Sequence, residues 1–72
     1  MVWKYAEISA AFSRILKNKA QSGDEEIAVE AVRTGGLPVE EAVHTAVRAL
    51  RAVNEVGASD RMEEVLRRAE TQ

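Results

Sequence analysis

The chain's one histidine stands in the spacing that a helical metal centre would use. Glu41-Ala42-Val43-His44 sets a carboxylate and an imidazole three residues apart, and Glu40 lies four residues before His44. Residues three and four apart share a helix face, and di-iron helical bundles use a Glu-x-x-His pair for that reason. Such bundles need the pair twice, with further Glu residues, all projecting inward. Here Glu40, Glu41 and His44 fall on the polar side of their helix, and Glu26 or Glu30 are the only further ligands to nominate. The expectation is a surface histidine near an acidic helix start, with no metal and no cofactor.

Other chemistry finds less. Ser9, Ser13, Ser22 and Ser59 suit helix surfaces and caps, and no Gly-x-Ser-x-Gly elbow is present. Carboxylates abound, but each has a role at a helix start. Thr34-Gly35-Gly36-Leu37-Pro38 lacks the Lys and the preceding strand of a phosphate loop. Cysteine is absent, which excludes disulfides and thiolate chemistry. A non-enzyme without catalytic residues is expected.

Charge bears on macromolecular partners. The net charge is −2, unevenly spread. Residues 1–20 carry Lys4, Arg14, Lys17 and Lys19 against Glu7, a net of +3. Residues 21–47 carry Arg33 against Asp24, Glu25, Glu26, Glu30, Glu40 and Glu41, a net of −5. The four cations of the first helix are possible phosphate contacts, so a small nucleic-acid-associated regulator, antitoxin-like or transcription-modulating, is the alternative function. A helix-turn-helix across Gly35-Gly36 would aim Glu40 and Glu41 at base edges, which is the wrong charge. The basic helix could instead lie on an anionic membrane, but its apolar stripe is needed for the core. No run approaches the roughly 18 apolar residues of a membrane span. Glu7 interrupts the first apolar stretch and no basic segment precedes it, so a cytoplasmic location is expected.

The elements that must position these residues are legible in the charge order. Acidic groups open each candidate helix (Glu7; Asp24 to Glu26; Glu40-Glu41; Asp60, Glu63 and Glu64) and basic groups close it (Lys17 and Lys19; Arg33; Arg48 and Arg51; Arg67-Arg68). Helix dipoles favour that order by about 0.3–1 kcal/mol per charge. With Gly23, Gly35-Gly36 and Gly57 as stops and Pro38 in a first turn, the sequence predicts one all-α domain over residues 1–72. It is a bundle of four short helices at about 3–21, 24–34, 38–55 and 59–70. Asp60 with Glu63 has capping-box spacing at the start of the fourth. Residues 25–33 and 40–48 echo one another (EEIAVEAVR, EEAVHTAVR), as helix chemistry alone would produce.

Apolar periodicity then separates core from surplus. Helix one has a stripe of Tyr5, Ile8, Phe12, Ile15 and Leu16, with Trp3 off it. Helix three has Val39, Val43, Ala46, Leu50 and Val53 at 4-3-4-3 spacing, widened by Ala42, Val47, Ala49 and Val56 into a face suited to a central helix. Of 33 hydrophobic residues, 12 are Ala and 9 are Val, so the core is built of small side chains. A 72-residue chain with such a core gains from a second copy. Ala49-Leu50-Arg51-Ala52 resembles a stretch of ubiquitin-associated domains. The loop through Gly57 and Ser59 is too long and their Gly-aromatic loop is absent, so no role carries over. The function expected is a non-enzymatic interaction module that self-associates, a homodimer by preference, acting in assembly, adaptation or regulation. Trp3, Tyr5, Phe12, Val39, Val43, Val47 and Leu50 are its candidate interaction residues, large aromatics being frequent binding anchors.

Overall fold

In the computed structural model, residues 4–71 form four α-helices and, among these described residues, no strand. They are α1 (Tyr5–Leu16), α2 (Asp24–Gly35), α3 (Leu37–Ala52) and α4 (Val56–Thr71). No helix is long and apolar enough to cross a membrane. Trp3 lies outside the described residues.

Each helix end has a local cause. α1 stops at Leu16, five residues before the expected Gln21, because Asn18 takes a left-handed conformation at φ 58°. Its N–H donates to the Ile15 carbonyl at 3.0 Å, and the Lys19 N–H donates to Arg14 at 2.8 Å. That pair of bonds is the Schellman arrangement, which satisfies the orphan carbonyls of a last turn. α3 ends the same way on Asn54 at φ 62°, with Asn54 bonded to Arg51 at 3.0 Å and Glu55 to Leu50 at 2.8 Å. Asparagine here does the work expected of Gly57.

With α3 closed at Asn54, α4 begins at Val56 rather than at Ser59 or Asp60. Ser59 is buried and donates its hydroxyl to the Val56 carbonyl at 3.0 Å instead of capping a helix. The Asp60–Glu63 capping box does not form, and the first turn of α4 carries no acidic residue. Between α2 and α3 a single residue, Gly36 at φ 69°, turns the chain, and Pro38 sits in the first turn as expected.

The core gathers Ile15 from α1, Ala28, Val29 and Val32 from α2, Val43 and Val47 from α3, and Met62, Val65 and Leu66 from α4. α2 and α4 each pack against all three other helices. α3 touches two neighbours, α2 and α4, but it is not the centre of the bundle. α1 and α3 scarcely meet. They lean on the same two helices from different sides and leave a gap between them.

One ion pair ties the first loop to the bundle. The Arg14 guanidinium meets the Asp24 carboxylate two-pronged, Nε to Oδ2 at 2.7 Å and Nη2 to Oδ1 at 2.8 Å. The Gln21 backbone N–H adds a bond to Oδ2 at 2.8 Å. Asp24 is only 2% exposed, and its helix is capped by Gly23 rather than by its own side chain. The bonds from Arg14 and then from Gln21 outweigh burial and hold the carboxyl down at about 2. Surface pairs add Glu25 with Arg61 (2.8 Å) and Arg68 (3.7 Å), and Glu63 with Arg51.

Candidate interaction surface

The gap between α1 and α3 is an apolar groove of about 210 Å³. Phe12 and Leu16 form one wall, Val39, Ala42 and Ala46 the other, and Val43 and Met62 the floor. Helical phase explains why these residues are spare. At about 100° per residue, Tyr5, Phe12 and Leu16 share one line along α1, roughly 100° from buried Ala11 and Ile15. The helix spends Ala11 and Ile15 on the core, rests Phe12 on its edge and turns Tyr5 outward. Tyr5 is 85% exposed.

The wide apolar face of α3 divides in the same manner. Val43 and Val47 are buried, and half-buried Leu50 packs against the core beside them. A second line, Val39, Ala42, Ala46, Ala49 and Val53, runs at 3-4-3-4 spacing roughly 90° away. It borders the groove and continues into solvent, with Val53 67% exposed. Val53, expected in the core seam, belongs to this outer line. A 3-4 repeat of apolar residues is what one helix offers another in knobs-into-holes packing.

The structure therefore sorts the expected interaction residues into two sets. Tyr5 is exposed, Phe12 and Val39 are half-buried against the core with one side on the groove, and Val43 is reached only at the groove floor. Val47 is buried and Leu50 serves the core, so neither offers a free surface. The residues that the periodicity of α3 undervalued are Ala42 and Ala46, which carry the wall. Their signal was present in the width of the apolar stripe, but width alone does not say which edge faces inward.

The basic residues of the first segment disperse. Arg14 is committed to Asp24. Lys4 precedes α1, while Lys17 and Lys19 follow it, all three exposed. Twelve helical residues at about 1.5 Å each separate the two ends by roughly 18 Å. Lys17 and Lys19 lie at the Leu16 end of the groove, and the acidic segment supplies Glu41 to the outer side of α3.

Fold and site together define a class: a four-helix bundle with an apolar slot between its first and third helices. Compared with protein-family models, curated proteins and solved structures, the chain matches none.

Proposed function

We propose that this chain is a self-associating helical interaction module, and that the groove receives α1 of a second copy. The observation that carries the reading is the pairing of two outward apolar lines, Tyr5–Phe12–Leu16 and Val39–Ala42–Ala46–Ala49–Val53, on either side of one slot. A two-fold arrangement lets each copy insert its α1 line against the partner's α3 line, so the same contact is made twice.

Area sets the scale. A stable dimer covers about 800 Å² per partner, roughly a sixth of this chain's 4595 Å² surface. The groove alone does not reach that, so the exposed Tyr5 and Val53 at the two ends of the lines belong to the interface. Small side chains on α3 allow the close helix approach such an interface needs. Its role would be structural or regulatory, with association itself as the activity.

Sedimentation equilibrium from low to high micromolar concentration tests the reading. A concentration-dependent dimer is expected. Ala42→Glu puts a charge into the slot at an exposed position, and it should abolish association while leaving the helical circular dichroism unchanged. A clean 7.9 kDa monomer at high micromolar concentration overturns the proposal, as does undiminished association of the Ala42→Glu chain.

A further inference from the structure

On the flank of α3 away from the groove, the histidine spacing acquires the third ligand it lacked. Glu40, His44 and Glu70 each present one ligand atom, and these atoms lie within 4.8 Å of one another. Glu70 comes from the last turn of α4, not from Glu26 or Glu30, which take no part in the cluster. We infer that Glu40, His44 and Glu70 bind a late first-row divalent cation of the zinc class, clipping the end of α4 to α3.

The antiparallel register of α3 and α4 leads to this site. Arg51 on α3 pairs with Glu63 on α4. Two helical turns along both helices, seven residues back on α3 and seven on along α4, come His44 and Glu70. At the first station a guanidinium answers the carboxylate. At the second an imidazole and another carboxylate stand in its place, and the ion pairs among the described residues leave out Glu40 and Glu70. Two carboxylates brought together repel one another, and a bound cation removes that repulsion.

An independent feature concerns the helix dipole. The last turns of α1, α2 and α3 carry Arg14, Arg33 and Arg51. α4 carries Arg68 there, but Glu70 follows it, a negative charge at the negative end of a helix, where the dipole disfavours it. The arrangement costs stability without a cation and gains it with one.

Donor chemistry selects the ion. Imidazole with carboxylates suits zinc, and imidazole disfavours magnesium and calcium, which take oxygen ligands. Zinc holds nitrogen and oxygen ligands at about 2.0–2.2 Å, so tetrahedral neighbours stand roughly 3.4 Å apart. His44 and Glu70 are exposed and Glu40 half-buried, which leaves their side chains free to close that last ångström. Water completes the fourth position, as at other three-ligand zinc sites.

Zinc titration of the full chain by calorimetry, with magnesium as control, is the test. One zinc per chain is expected, with no heat from magnesium. His44→Ala and Glu70→Gln should each weaken binding at least about tenfold, since even outer-shell partners of a metal are worth 10–100-fold. Amide exchange in the last turn of α4 should slow when zinc is added to the unaltered chain and not when it is added to Glu70→Gln. Both substitutions are on the surface, so unchanged circular dichroism confirms folding. Ala42→Glu, on the opposite flank, should retain zinc and so separates this site from the groove. No stoichiometric zinc at 200 µM overturns the inference, and so does equal affinity in either variant.

Discussion

Replacing Asp24 with Asn tests whether one ion pair anchors the loop between α1 and α2. Asp24 titrates at about 2 against an ordinary 3.8. At 1.36 kcal/mol per unit, that difference corresponds to about 2.4 kcal/mol of stability. Arg14 is 35% exposed, so water screens part of it, and about 1–2 kcal/mol is the reasonable magnitude at neutral pH. In a domain of this size each kcal/mol moves the melting temperature by about 4–8 °C, so Asp24→Asn should melt roughly 5–15 °C lower at pH 7. The sign with pH follows from the direction of the shift. A carboxyl held below its unfolded value stabilises the fold fully above about pH 5, and the contribution fades as pH falls toward 2. About half is gone at pH 3. Thermal unfolding followed at 222 nm from pH 7 to pH 2.5 should therefore show the gap between the two chains shrink by at least half. Other carboxylates protonate in both chains and cancel in the difference. A gap already absent at pH 7, or one that stays constant down to pH 2.5, refutes the assignment.

The helix ends give a second test: Asn54→Ala should lower the melting temperature by roughly 4–8 °C, because an alanine at φ 62° costs about 1 kcal/mol, whereas Asn54→Gly should not lower it. Ile15→Ala removes a fully buried side chain and should cost about 2–5 kcal/mol by urea denaturation, enough to unfold much of so small a bundle. A cost below 1 kcal/mol would mean that α1 is not held by its Ile15 anchor.

The fold was legible where local chemistry decides it. Both limits of α2 and the start of α3 follow from Gly23, the Gly35-Gly36 pair and Pro38, residues with few conformational choices, whereas α3 ends at Ala52 rather than at 55. Helix one was read five residues too long and helix four three too short for one shared reason. Asn18 and Asn54 end their helices in the left-handed conformation, where Gly57 had been given the role for α3. Asn tolerates that conformation through its short polar side chain, but nothing in a single sequence separates such an Asn from one on a helix surface.

Pairings between distant residues were hidden for a different reason. Arg14 and Asp24 each have a sufficient local account, one as a possible phosphate contact and the other as an acidic group opening a helix, and their union depends on how the Lys17–Gly23 loop folds back. Glu70 acquires neighbours only once α3 and α4 are set antiparallel. The aromatic line of α1 was visible as a stripe, yet its division into an inner Ile15 edge and an outer Phe12 edge requires knowing which side α2 occupies.

Three alanines, Ala11, Ala28 and Ala58, are completely shielded from solvent. Each marks a place where the chain has no room to drift. A valine there would force overpacking at about 1–3 kcal/mol, and a glycine would cost roughly 1 kcal/mol of helix propensity. The larger buried residues are more forgiving, since Leu and Met exchange for one another at modest cost when volume is kept. Kinship to this chain would thus be written in positions that stay small, together with Arg14 and Asp24.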